Sequence, residues 1–216
     1  AKETSYHHGE QSLAQTIVNM AQDFMGSNNV NLLLPLGQFG NRHGEKPAAA
    51  RYIFTSLAPV VRHLFRPEDD AILEHLEDEG RVIEPKTFVP IVPLIIINGA
   101  DGIGTGFSTN VPPHSAFDVI DACLALCNGL DLPPMAVWTR GFVGEVDEEA
   151  QTYRGCHTID GRVVHVTELP PGVRTNDVRT ALSSVEAVED VVSLSTHSSV
   201  GLQITFASEE LPDVVK

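Results

Sequence analysis

Apolar side chains recur at helical spacing between residues 11 and 25. Leu13, Ile17, Met20, Ala21, Phe24 and Met25 share one face, and Ser12, Gln15, Asn19 and Gln22 line the other. The spacing predicts an amphipathic helix that stops at Gly26 and the Ser-Asn-Asn behind it. From residue 28 to 47 the chain is rich in Asn, Gly and Pro, which predicts loops around a short buried strand, NLLLPL (31–36). ARYIFT (50–55) is β-prone. A helix over about 56–65 follows from Leu57, Val60, Val61, Leu64 and Phe65, with Pro59 tolerated in its first turn. Residues 67–80, PEDDAILEHLEDEG, read as an acidic helix closed by Gly80, and 82–98 as extended and Pro-punctuated. Ser115 is placed to cap a helix reaching Cys127, with Val119, Ile120, Cys123, Leu124 and Leu126 as its apolar positions.

Beyond Gly141 the period changes to two. Short alternating strands are predicted at 141–146, 153–159, 161–169 and 200–206, with a helical patch around 175–188. A Pro/Gly cluster at about 130–140 suggests a domain boundary. The fold class expected is α+β, without internal repeats. The chain stops at VVK with no visible cap, as if it continued in a longer protein.

Composition narrows the picture only a little. Apolar residues make up 42% and charged ones 20%, so the chain can bury a core. The longest apolar run, 89–99, is short and carries Pro90 and Pro93, which excludes a helical membrane span there. Three cysteines, an odd number, argue against a disulfide framework and for a reducing compartment. A net charge of −15 argues against nucleic acid when taken whole. Its distribution argues the other way. Residues 1–66 hold six Lys/Arg against four acids, net +2, whereas the remaining 150 hold eight against 25, net −17.

Two places stand out chemically. Tyr52 follows Arg51 after a small-residue basic loop, HGEKPAAA. A phenol, with a pKa near ~10, is a poor nucleophile at neutral pH unless a base, cation or metal stabilises the phenolate. An adjacent guanidinium supplies part of that and binds a phosphodiester as well. Read alone, the dipeptide favours an aromatic packed on a core with an Arg at its rim. Ile103 sits in GADGIGTG (99–106), where glycines let a backbone come close to a partner and present a β-branched apolar side chain. Such a side chain can act as a wedge between base steps. Other constellations fail on spacing. His8-Gly9-Glu10 lacks the Pro-Cys-x-x-Cys of zinc deaminases. The glycine run lacks a Gly-Lys dipeptide and so is no Walker A loop. The acidic triplets at 68–70, 77–79 and 147–149 read as solvated faces, and Cys123 and Cys127 as core positions.

Residues 4–113, through YHHGE (6–10), GQFGNR (37–42), ARYIFT and PIVPLIIINGADGIGTGFSTNVPPH, resemble the breakage–reunion region of type IIA DNA topoisomerases, most closely the eukaryotic and viral homodimeric kind. GRVVHVTELPPGVRTNDV (161–178) continues the resemblance more thinly. The resemblance implies a winged-helix domain over 1–125 and part of an α/β tower domain over 126–216. It makes Tyr52 the nucleophile that links to a 5′ phosphate, with Arg51 as its electrostatic partner. His7, His8, Ser12, Gln15, Gln38, Arg42 and Lys46 become DNA contacts, and Ile103 an intercalating wedge. It further implies double-stranded DNA as the partner, a homodimer, and Mg2+ and ATP bound by domains outside these residues. A nuclear location is implied, with an organellar or viral one as alternatives. The rival reading is a non-catalytic winged-helix module that binds DNA or serves as a scaffold.

Overall fold

In a computed structural model, residues 4 and 6–208 are described. The chain divides into two compact units. One holds the chain up to Asp23 together with Asn28–Phe39 and Ala48–Met135. The other holds Phe24–Ser27, Gly40–Pro47 and the chain from Ala136 onward. The uncapped end at VVK lies outside the described residues.

In the first unit, helix α1 runs Glu10–Ala21, shorter than its periodicity suggests. Its last carbonyls are taken by side chains: Asn28 Nδ2 donates to Asn19 O (2.8 Å) and Gln22 O (2.9 Å), and Asn31 Nδ2 to Ala21 O (3.1 Å) and Gln22 O (2.7 Å). These amides end the helix at Ala21, ahead of the stop expected at Gly26. The buried face is Val18 and Ala21, rotated from the expected one, with Met20 exposed. Strand β1 (Leu33–Leu36) pairs antiparallel with β2 (Phe54–Leu57). ARYIFT is therefore only half strand, because Ala50–Tyr52 form a 3-10 turn before it. Helix α2 is a single turn, Val61–Leu64.

The acidic helix expected over 67–80 is not formed. A 3-10 turn, Pro67–Ile72, leads into a hairpin of β3 (His75–Asp78) and β4 (Arg81–Pro85). Glu79 and Gly80 both take positive φ, 48° and 75°, which is the backbone of a two-residue hairpin turn. Gly80 marks a turn, not a helix end. Helix α3 (Leu94–Asn98) and helix α4 (Ala116–Cys127) flank a second hairpin, β5 (Ala100–Gly104) with β6 (Phe107–Val111). Ser115 does stand at the N-cap of α4, though its side chain makes no capping bond. Only Val119 and Ala122 of α4 are buried; Ile120, Leu124, Leu126 and Cys127 are exposed and Cys123 is half-buried, so the core reading of the two cysteines does not hold.

The second unit has a small hairpin, β7 (Glu145–Asp147) with β8 (Thr152–Arg154). A four-stranded antiparallel sheet follows, from β9 (Cys156–Asp160), β10 (Val163–Glu168), β11 (Val188–Ser193) and β12 (Leu202–Phe206) in the order β11-β12-β10-β9. Leu202, Ile204 and Phe206 alternate onto one buried face, as a period of two requires. Helix α5 (Thr175–Leu182) lends Leu182 to the cluster around Val164, Ile204 and Phe206, and Val178 to the one around Leu169, Val200 and Leu202. The helix stops well short of 188: residues 183–187 are turn, and β11 begins only at Val188. Among the described residues no helix is long and apolar enough to cross a membrane.

Candidate nucleic-acid interface

Ile53 is the anchor from which Tyr52 is displayed. It packs with Leu33 against Val18, Ala21 and Phe39, tying α1, β1 and the 37–39 turn into one apolar cluster. Gly37 makes that packing possible. Its φ is +121°, and a Cβ there would lie 3.0 Å from Ile53 Cγ2. With Ile53 held inward, the 3-10 turn closed by Tyr52 N–H on Ala49 O (2.9 Å) leaves the Tyr52 side chain outward. Tyr52 is 66% exposed, and the Arg51 guanidinium lies 4.7 Å from its ring centroid. A phenol with a cation stacked on it, free of hydrogen-bond partners among the described residues, is accessible to a large anionic ligand.

The same cluster carries neighbouring polar groups. Ser12 and Gln15 are exposed on α1. Ser12 Oγ accepts from Tyr6 Oη at 2.9 Å, and Gln15 Nε2 donates to Asn19 Oδ1 at 2.8 Å. His7 and His8 are exposed just ahead of the helix, with the Tyr6 ring edge-on to His8 at 5.5 Å. Gln38 is exposed beside buried Phe39, and its carbonyl accepts Ala48 N–H at 3.0 Å. Ile103 stands apart on the β5–β6 hairpin and is 93% exposed. Gly102 and Gly104 on either side leave nothing to cover it. Lys46 is exposed and belongs to the second unit.

Arg42 departs from the expectation. It is not an exposed loop cation but 7% accessible, paired with Glu168, itself 3% accessible. A guanidinium whose charge is already neutralised in the interior has none to offer a phosphate. Its neighbour His43 is buried as well, with Nε2–H donating to Thr196 O at 2.6 Å and Nδ1 lying 2.9 Å from Thr175 Oγ1.

The family model for the DNA gyrase/topoisomerase IV A-type subunit matches residues 2–216. The chain belongs to that family. It is 44% identical over 219 residues to the mitochondrial DNA topoisomerase 2 of Dictyostelium discoideum, covering 98% of this chain and 17% of that protein. To DNA topoisomerase 2 of Arabidopsis thaliana it is 40% identical, covering 96% of this chain and 15% of that protein. The chain thus spans under a fifth of the length of these curated relatives. The crystal structure of the Plasmodium falciparum topoisomerase II DNA-binding, cleavage and re-ligation domain superposes with a TM-score of 0.89 at 40% identity, over 95% of this chain and 30% of that one. The mixed α+β fold with short antiparallel sheets is therefore that of the topoisomerase II breakage–reunion region.

Sequence reasoning missed Glu168, His43 and Thr175 in this family member. A signal for the first existed. Glu168 ends β10 at an inward position, and a carboxylate there demands a cation. Which cation is not written locally. Among the described residues no group of three or more His, Cys, Asp or Glu side chains that could hold a metal ion gathers.

Proposed function

We propose that this chain is part of the DNA gate of an ATP-dependent type II DNA topoisomerase. Tyr52 Oη attacks a backbone phosphorus, forming a phenolic P–O bond as the bond to the sugar 3′ oxygen breaks. The phenolic proton is lost to solvent or a base, and the departing 3′ oxygen gains one. Each strand then carries a 5′-phosphotyrosyl link while a second duplex passes. One phosphodiester replaces another, so the 3′ hydroxyl can reverse the step. Arg51 neutralises charge building on the phosphorus. His7, His8, Ser12, Gln15, Gln38 and Lys46 line the path of the duplex, and Ile103 enters between base steps and bends it. Two copies of Tyr52, one per protomer of a homodimer, cut the two strands. Mg2+ and ATP are held by other domains of the longer protein, whose proposed location is the nucleus.

The observation that carries this reading is the exposed Tyr52–Arg51 pair on a rim fixed by Ile53, in a chain of this family. The test is Tyr52→Phe in the full-length protein. Covalent protein–DNA adduct, trapped by denaturation after incubation with duplex DNA, is expected to vanish while non-covalent binding persists. An adduct that survives the substitution removes Tyr52 from the role. DNA binding without any Tyr52-dependent adduct in the parent protein favours the scaffold reading.

A further inference from the structure

Ile103 rides on an arm. Every residue from 101 to 110 of the β5–β6 hairpin is exposed, and Ala100 and Val111 at its base are half-buried. The direction in which the hairpin carries Ile103 is therefore set where its two strands leave the first unit. Asn29 stands at that point. It is 8% accessible, and its Nδ2 donates to Ile97 O (2.8 Å), ahead of β5, and to His114 O (3.1 Å), beyond β6. One amide group thus ties both ends of the hairpin. The ends are also joined directly, since His114 N–H is shared between Ile96 O (3.0 Å) and Ile97 O (3.3 Å). Gly99, at φ +73°, lets them come this close: a Cβ there would lie 2.7 Å from Val111 O. Asn98 adds a second clasp. Its Nδ2 donates to Val30 O (2.9 Å) and its Oδ1 accepts Val30 N–H (2.8 Å). Asn28 and Asn31, meanwhile, bond the last carbonyls of α1. Residues 28–31 therefore link α1 to the hairpin base, and all these elements belong to the first unit.

We infer that Asn29 is a positioning residue for the Ile103 wedge: it fixes the base of the β5–β6 hairpin on segment 28–31, and so fixes where Ile103 meets the duplex relative to Ser12 and Gln15 on α1. The inference rests on the reading of those residues as DNA contacts given above. Ile103 lies four residues beyond Gly99, which is about 13 Å along an extended strand. A tilt of about 10° at the base would move it by roughly 2 Å, more than half of the about 3.4 Å between stacked bases. A wedge displaced that far meets a base edge and not the gap between bases. A buried amide bonded to two separate carbonyls holds one geometry, because any other leaves buried polar groups unpaired.

The experiment compares the full-length parent protein with Asn29→Leu, with Asn31→Leu as a matched control, and with Ile103→Ala alone and combined with Asn29→Leu. Both leucine variants keep the side chain's approximate size and lose two amide–carbonyl hydrogen bonds, but only the first loses them at the hairpin base. Amide hydrogen exchange over 96–116 in the DNA-free protein is expected to accelerate by about fivefold or more in Asn29→Leu and by less than about twofold in Asn31→Leu. FRET between dyes at the ends of a fully bound duplex gives the ratio of bent to unbent complexes. That ratio is expected to fall by about fivefold or more in Asn29→Leu and to stay within about twofold of the parent in Asn31→Leu. In the double variant it should be no lower than in Ile103→Ala alone. All variants are assayed below their unfolding temperatures. Unchanged exchange in a folded Asn29→Leu overturns the inference. Faster exchange with an undiminished bend overturns it too, leaving Asn29 merely structural. An equal loss of bend in Asn31→Leu overturns it in favour of general loosening of the unit. A loss that adds to that of Ile103→Ala shows Asn29 acting through something other than the wedge, and also overturns it. If Asn29→Leu does not fold, Asn29→Ser, whose hydroxyl reaches at most one of the two carbonyls, is judged by the same criteria. An Ile103→Ala protein that bends DNA as the parent does sinks the wedge and the positioning role together, and exchange still reports whether Asn29 holds the hairpin base.

Discussion

Tyr52 and Arg42 show how differently two polar residues ten positions apart can be used. Tyr52 is displayed because the next residue, Ile53, is drawn into the cluster with Val18, Ala21 and Phe39. Arg42 is withdrawn because Glu168 waits for it. Removing one partner leaves a buried charge uncompensated, so Arg42→Ala is expected to destabilise its unit by about 3–5 kcal/mol. Chemical denaturation monitored by circular dichroism checks this, and a loss below ~1 kcal/mol would place the guanidinium in solvent. Tyr153 supports a second prediction. Burial pushes its phenol above the usual tyrosine range, with the hydrogen bond from Thr139 Oγ1 (2.9 Å) opposing that shift in part. A raised folded pKa favours the neutral form. Its stabilisation is complete below the unfolded pKa near ~10 and is lost as pH rises through the folded value. Thermal melts should therefore weaken above about pH 10, and Tyr153→Phe should remove that part of the alkaline loss at a cost of about 1 kcal/mol for the missing hydrogen bond.

At the scale of elements, turn chemistry outweighed periodicity in two places. The acidic run 67–80 has apolar residues at spacings that fit a helix, but Glu79-Gly80 forms the two-residue turn that folds it back as β3–β4. The 37–39 turn is as demanding. Gly37 at φ +121° cannot take a side chain without pressing on Ile53. Gly37→Ala is expected to lower stability by about 1–3 kcal/mol through backbone strain alone. Because Ile53 adjoins Tyr52, the adduct rate should fall in the same variant. A Tm within a degree of the parent would show that the turn relaxes freely.

For the whole molecule, the acidic balance of −15 coexists with a family that handles a polyanion. The two are reconciled if the duplex meets the less acidic N-terminal portion and the acids face water. Affinity resting on a few phosphate contacts and on deformability predicts steep salt dependence and little sequence preference in the full-length protein. Ile103→Ala should reduce the bend that FRET detects between dyes at the two duplex ends, with Tyr52 chemistry still available. An unchanged bend would remove the wedge.

Sequence alone determined the chemical endowment: a tyrosine beside an arginine, an isoleucine among glycines, and strongly periodic segments that became α1, α4, β10 and β12. These depend on neighbours within a few residues, and local periodicity records which face is apolar. The long ordered motifs shared with topoisomerases were legible for the same reason, since each is a contiguous string. Only the tertiary structure decided that Arg42 is buried and paired with Glu168, because that partner lies 126 residues further along the chain. Which charges are desolvated together is a property of the packed interior, and no spacing along the chain encodes it.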